Sequence, residues 1–424
     1  MSVARSISFS WATVKFPPVA NGSSARDQLS TSGHLLAAWK KISRRNERSH
    51  GLDQITIEEF RDNLHHHLSE IGEQIKNGSY KFTPARGWLA PKPGSDQKRP
   101  IKIPAIRDRV VLKAISLLIE ERFSRYNLDC SFGYVKRRGP RDAIERVKKL
   151  ADEGYRVVLE ADIHKFFDEV DPGVLFPKFI RRVHRPSLNA LIMDGLRMEV
   201  GNLDSFSDEE KKLFPTADSG MPQGGVLSPM LANFYLYPFD EAMTEAGFNL
   251  VRYADDFVVM CKTEQEAEEA YALSKRILED GLHLRLHKLG EDGSKTRILQ
   301  FDRGLKFLGV QFSNGQIAPS QSVINKFRER VRSILDVRQS KSLLDTLTSL
   351  RNTINGWGQC YRYFEVKQLY AELDAHVRNE VTGYLRQHKF LLHGGNLSRK
   401  QLRLLGIPEL NNFVGAAARP SLAA

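Results

Sequence analysis

Two adjacent carboxylates, Asp255 and Asp256, sit inside Val251-Arg252-Tyr253-Ala254-Asp255-Asp256-Phe257-Val258-Val259-Met260, between two apolar runs of strand length with almost no turn between them. That pattern predicts a tight hairpin with an acidic tip. Neighbouring carboxylates repel unless a cation lies beside them, and the usual cation for open, all-oxygen ligation next to a phosphate chain is Mg²⁺. The chemistry suggested is metal-dependent phosphoryl transfer. A second acidic strand end strengthens it: Tyr155-Arg156-Val157-Val158-Leu159-Glu160-Ala161-Asp162-Ile163 runs into His164-Lys165-Phe166-Phe167-Asp168. If Asp162 and Asp255 lie on neighbouring strands, they can bridge two Mg²⁺ ions roughly 3.5–4 Å apart, one activating a hydroxyl and one holding a triphosphate. Taken alone, Asp162 would as readily cap the next helix.

A third element completes the set. Ser219-Gly220-Met221-Pro222-Gln223-Gly224-Gly225-Val226-Leu227-Ser228-Pro229 precedes a helix, with Ser228 placed to cap it and Pro229 suited to its first position. The glycines permit close backbone approach to a ligand, and Gln223 offers both a donor and an acceptor.

Together these residues resemble the prokaryotic reverse transcriptases of the group II intron type, over about residues 49 to 364. The resemblance includes Gly51-Leu52-Asp53-Gln54-Ile55 through Phe60, Arg99-Pro100-Ile101-Lys102-Ile103-Pro104 through Val111, and Ser131-Phe132-Gly133-Tyr134. It continues through Ala161-Asp162-Ile163-His164-Lys165-Phe166-Phe167-Asp168, Pro222-Gln223-Gly224-Gly225, Tyr253-Ala254-Asp255-Asp256, Lys295-Thr296 and Phe307-Leu308-Gly309. It implies an α+β fold, a right-hand polymerase with fingers, a ferredoxin-like palm built on an antiparallel sheet, and a helical thumb. The activity implied is RNA-directed DNA polymerisation from dNTPs with two Mg²⁺ ions, Mn²⁺ being a substitute.

Roles follow residue by residue from the resemblance. Asp162, Asp255 and Asp256 would be catalytic metal ligands, assisted by the Ile163 carbonyl. Lys295 resembles the lysine near the leaving pyrophosphate. Phe167 matches the aromatic that excludes a 2′-hydroxyl, and Gln223 would line the nucleotide pocket. Lys92 and Arg99 would hold the triphosphate, although the stretch between them is one residue longer than expected. Lys102 departs from the glycine usual at its place, which leaves its role open. Phe132, Tyr134, Lys136, Arg137 and Arg138 would grip the template by stacking and phosphate contact; in another family the same segment would read as a solvated turn with a buried aromatic. Trp357 and Arg362, within Asn355-Gly356-Trp357 to Phe364, resemble a thumb segment facing the RNA–DNA duplex, with helix packing an equal explanation for Trp357.

Composition agrees with a polyanionic partner. The 424 residues carry a formal net charge of +12. Cys130, Cys261 and Cys360 are far apart and include no C-x-x-C pair, which speaks against a zinc knuckle or disulfide framework. Apolar runs stop short of the roughly 20 residues a membrane span needs, so a cytoplasmic protein without membrane contact is expected.

Along the chain, residues 1–33 read as a loosely ordered lead, 34–154 as fingers with an N-terminal extension, 155–318 as palm with an insertion at about 174–218, and 319–424 as helical thumb with a basic tail. A single helix is expected from Thr56 to Asn77-Gly78, in which His65-His66-His67 point about 100° apart and cannot converge on one metal. A strand pair around Asp255, a capped helix from Thr263 and a strand near Leu282–Leu286 complete the split βαβ order that gathers the aspartates at one sheet edge. Leu343, Leu344, Leu347, Leu350 and Ile354 form an apolar stripe.

Absence of a zinc-rich endonuclease segment after the thumb suggests a free-standing enzyme, and compact relatives of this kind suggest antiphage defence, with a structured non-coding RNA as template and scaffold. Two other classes compete. A maturase-type RNA-binding protein would scaffold splicing or retromobility with the same fold, and a nucleotide cyclase would share the acidic strand ends but not the finger, Gln223 and thumb motifs.

Overall fold

The structure is a computed structural model that describes residues 24–43, 48–91, 97–216, 220–291, 294–313, 315–338, 342–364, 366–388, 390 and 395–413. The chain forms two compact units, residues 1–298 and 299–424.

In the first unit, helices Ala25–Ser30, Ser32–Ile42, Ile57–Asp62, Leu64–Asn77 and Ile106–Ser124 precede and flank a two-stranded hairpin. The hairpin pairs β1 (Arg86–Pro91) with β2 (Lys98–Ile103), antiparallel, so that Trp88 faces Ile101 and Ala90 faces Arg99. Helical order starts earlier than the lead's sequence suggests, because Ser24 and Thr31 cap successive helices and Leu29 is buried. The expected Thr56–Asn77 helix breaks at Asn63, whose backbone leaves helical geometry (φ −118°, ψ 31°). Thr56 and Glu59 form a reciprocal capping box before the break. Of the histidine run, His65 and His66 are exposed, while the ring of His67 stacks on Phe60 at 4.4 Å.

The central sheet runs in the order β4-β5-β3-β6, with β3 at Val157–Asp162, β4 at Asn249–Tyr253, β5 at Asp256–Cys261 and β6 at Arg297–Gln300. β5 pairs antiparallel with both β3 and β4. Phe257, Val258, Val259 and Met260 are all buried, so side chains pointing to either face are covered. The Ser228–Glu245 helix supplies much of that cover through Phe234, Phe239 and Tyr235, with the Phe239 and Phe257 rings 5.0 Å apart. The helix begun at Glu264 continues through a π-helical turn at Arg276–Gly281. The expected strand at Leu282–Leu286 is reduced to an isolated bridge between Leu286 and Ile163, and the strand beside β3 is β6.

The second unit contains a three-stranded antiparallel sheet of β7 (Arg303–Phe307), β8 (Val310–Ser313) and β9 (Gln316–Pro319). Helices Gln321–Ile334, Leu343–Tyr361, Lys367–Gln387 and Arg399–Leu404 follow. Its core gathers Phe327, Leu350, Ile354, Tyr370 and Leu373. Leu347, Leu350 and Ile354 of the predicted stripe are buried, but Leu344 is 72% exposed, since its position falls one residue off that face. No helix among the described residues is long and apolar enough to cross a membrane.

Candidate active site at the β3–β5 strand ends

The sheet register brings the acidic strand ends together. Asp162, the last residue of β3, lies directly across from Asp256, the first of β5. Tyr253 also pairs with Asp256, so Ala254 and Asp255 are the whole turn between β4 and β5. Ala254 accepts a left-handed backbone (φ 59°) to close it. Asp162 is buried, whereas Asp256 stands at the open mouth.

Crowding shapes the acids. Burial, then repulsion from Asp255 and Asp162, pushes Asp256 up to about 7. Asp255 is also raised, first by burial and further by Asp162, with Lys295 and Arg99 opposing. Lys295 Nζ bonds Asp162 Oδ2. Partial burial works against its charge, but the bond to Asp162 and the fields of all three aspartates outweigh it and raise its pKa. Mutually repelling carboxylates with one lysine as their counter-charge are a donor set suited to a hard cation. Among the described residues no group of three or more His, Cys, Asp or Glu side chains is drawn together so as to hold a metal ion as it stands.

Phe167 and Gln223, expected from sequence to face a nucleotide, meet at the turn before the Ser228–Glu245 helix. Met221 N–H donates to Phe167 O at 2.7 Å, and Gln223 Nε2 reaches Asp168 Oδ1 at 3.4 Å. Gln223 O accepts from Lys102 N–H at 3.3 Å, which ties the β1–β2 hairpin to the turn. The buried Lys102 ammonium donates to Met198 O at 3.1 Å, so the residue whose role was open is a structural pin. Ser228 is not the helix cap. It is the first helical residue, and its hydroxyl donates to Pro222 O at 2.6 Å, fastening the turn instead. Arg99 is exposed on β2 and acts electrostatically on Asp255 and Tyr134; Lys92 lies outside the described residues. Gly224 has φ +83°, and a Cβ there would lie 2.9 Å from Ile101 Cγ2. Gly224→Ala is therefore expected to raise the dNTP KM about tenfold, from about 1–2 kcal/mol of strain at the pocket wall. Steady-state kinetics with dNTP varied would check it, an unchanged KM being contrary.

The segment expected to grip template divides. Phe132 is buried beneath the Arg138 guanidinium, 5.8 Å from its ring centroid, and so offers no face for stacking. Arg138 is spent on Leu128 O, Ser131 O and Asp129. Tyr134, 51% exposed, and the exposed Lys136 and Arg137 remain available to a ligand.

Several residues at the site have no role assigned to them from sequence. Arg252 and Asp240 are fully buried and bonded to each other. His287 Nε2 lies 3.6 Å from Asp162 Oδ2, and His164 Nδ1 lies 2.5 Å from Glu169 Oε1, which Arg285 also bonds. A signal for the first pair existed: an arginine in an apolar strand and an aspartate in an apolar helix, opposite in sign.

The pattern described as Reverse transcriptase (RNA-dependent DNA polymerase) matches residues 90–312, more than half of the chain and all of this constellation. The chain belongs to the reverse transcriptase family. Its enzyme class is that of an RNA-directed DNA polymerase, with the right-hand fold and divalent-metal use general to that family. A second pattern, Group II intron, maturase-specific domain, matches residues 324–394. Protein YkfC of Escherichia coli (strain K12) is 28% identical over 66% of this chain and 81% of its own. Group II intron-encoded protein LtrA of Lactococcus lactis subsp. cremoris is 27% identical over 65% of this chain, which spans only 42% of LtrA. A chain of the solved partial Cas6-RT-Cas1–Cas2 complex aligns over 63% of this chain and 45% of that one, at 22% identity and a TM-score of 0.36.

In this reverse transcriptase the maturase-matched residues belong to the second unit. Trp357 packs there against Phe327, Tyr361 and Tyr370, at 4.9, 4.7 and 5.7 Å between ring centroids. Arg362 lies over the Tyr363 ring at 4.6 Å. Trp357 thus belongs to an aromatic core between helices.

Proposed function

We propose that this reverse transcriptase extends a DNA 3′ hydroxyl on an RNA template with Asp162, Asp255 and Asp256, aided by the Ile163 carbonyl, as ligands for two Mg²⁺ ions. The observation that carries the reading is the cross-strand pairing of Asp162 with Asp256, one residue from Asp255. When bound, the ions lower the pKa of the attacking hydroxyl and neutralise the triphosphate. Arg99, with Lys92, binds the triphosphate. Phe167 packs against the sugar where a 2′-hydroxyl would project, and Gln223, on the turn bonded to the Phe167–Asp168 segment, orients the nucleotide. Lys295 holds a proton on Nζ for the departing pyrophosphate oxygen. Tyr134, Lys136 and Arg137 contact the template strand; in the second unit Arg362 contacts the duplex, and Trp357 braces the helix that ends beside it.

A pH dependence follows from Asp256. A proton and a divalent ion compete for that carboxylate, so affinity is flat above about pH 7 and falls as the pH drops below it, by up to about tenfold per unit. Calorimetric titration of Mg²⁺ or Mn²⁺ from pH 6 to 8 would check it, with Asp256→Asn expected to flatten the profile. Equal affinity at pH 6 and 8 in the unaltered chain would count against it.

The biological setting we propose is cytoplasmic copying of a dedicated, structured non-coding RNA in bacterial antiphage defence. A maturase-type role is the second reading, favoured by the maturase-specific match over residues 324–394. Sequencing the RNA and DNA that co-purify from the native host separates them. One discrete RNA with complementary DNA, lost in the Asp255→Ala/Asp256→Ala double variant, fits the first. Intron RNA bound equally by both proteins, without DNA, fits the second.

A further inference from the structure

β4 is an edge strand of the central sheet, and its outer side is not left open. Arg252 N–H donates to Cys130 O and Phe132 N–H donates to Arg252 O, both at 2.8 Å, so Ser131 forms a parallel bridge with Arg252. The loop then runs across the catalytic turn itself. A Cβ on Gly133 would stand 2.3 Å from Ala254 N, which means the two backbones are in direct contact. Asn233 Nδ2 holds Gly133 O at 2.9 Å from the helix side.

The Arg252 side chain joins the same three elements a second time. Its guanidinium forks onto Asp240 of the Ser228–Glu245 helix at 2.6 and 2.5 Å. It also donates to Ala254 O in the catalytic turn at 2.8 Å, to Ser131 Oγ in the loop at 2.8 Å, and to Asn233 Oδ1 at 3.2 Å. A buried ion pair serves poorly as a mere stabiliser, because apolar residues of similar size often do as well. What they cannot do is hold a carbonyl and a hydroxyl on separate segments at fixed positions.

We propose that Arg252 is a positioning residue that locks the Ser131–Tyr134 loop to the Ala254–Asp255 turn, so that engagement of the loop by the template strand is felt at the catalytic carboxylates. This deepens, and rests on, the polymerase reading given above. Arg252 touches no reacting group; it acts through Ala254 and Ser131.

The test uses the full chain with an RNA template and a DNA primer. In Asp240→Leu/Arg252→Met the pair is replaced by apolar side chains. Thermal stability should recover part of what Asp240→Ala loses, since no buried charge is left unpaired, while kcat falls on the order of 10²-fold, the usual cost of reacting groups misplaced by about an ångström. Recovery of kcat together with stability would overturn the proposal. Ser131→Ala keeps the ion pair and removes one bond. It should lower kcat about tenfold with dNTP KM and melting temperature unchanged, and an unchanged kcat would overturn the proposal. Hydrogen exchange gives a readout that needs no catalysis. Adding the RNA–DNA duplex should protect residues 130–134 and 251–256 together in the unaltered chain, but only 130–134 in the double variant. Equal protection of both segments in both proteins would overturn the coupling. Unaltered protein that extends no primer would instead sink the polymerase reading, with the exchange result still deciding the coupling.

Discussion

Asp255→Asn abolishes DNA synthesis by roughly 10⁴-fold while leaving affinity for RNA within about threefold. The substitution keeps size and hydrogen-bonding capacity at the two-residue turn but removes a charge from a cluster already held together against its own repulsion. A metal-binding carboxylate is worth several kcal/mol at the transition state, whereas template affinity is spread over many basic contacts. Asp256→Asn should cost less, on the order of 10²-fold, because Asp256 is the more exposed of the adjacent pair and stands at the mouth of the site. Single-turnover primer extension beside fluorescence anisotropy with labelled RNA measures both quantities. Synthesis within tenfold of the unaltered chain in Asp255→Asn would contradict the assignment.

Asp240→Ala costs about 3–5 kcal/mol of stability, a fall of roughly 6–20 °C in melting temperature. Both partners are fully buried, and removing the carboxylate leaves the Arg252 guanidinium facing only neutral acceptors: Asn233 Oδ1, Ala254 O and Ser131 Oγ. Asp240→Asn keeps the shape and one acceptor and should lose about half as much. Calorimetry or denaturant unfolding decides it. A melting temperature within 2 °C of the unaltered chain, roughly below 1 kcal/mol, would mean that water or a side-chain shift satisfies the arginine.

The acidic strand ends were legible in sequence because a carboxylate pair between two apolar runs has few structural uses, and their order along the chain implied the sheet. The register was not legible: the expectation set Asp162 beside Asp255 only if their strands were neighbours, and the pairing puts Asp162 directly across from Asp256. What stayed hidden depended on long-range partners. Phe132 and Trp357 look like stacking aromatics in sequence, yet Arg138 and Phe327 claim them. The break at Asn63 falls inside an apolar period that runs through it, so periodicity does not mark that boundary. Ser228 had the residue type of a helix cap, but Pro222 O lies within its reach and takes its hydroxyl. His287 arrives beside Asp162 only through the Ile163–Leu286 bridge, which no local pattern announces.

The central claim is templated DNA synthesis at the β3–β5 strand ends. Primer extension by the purified chain, with Mg²⁺, four dNTPs and an RNA template of defined sequence, tests it most directly. DNA complementary to that RNA, made only with template present and lost in Asp255→Asn, is the predicted result. Product formed from nucleotide alone, or synthesis that survives the substitution, would contradict it.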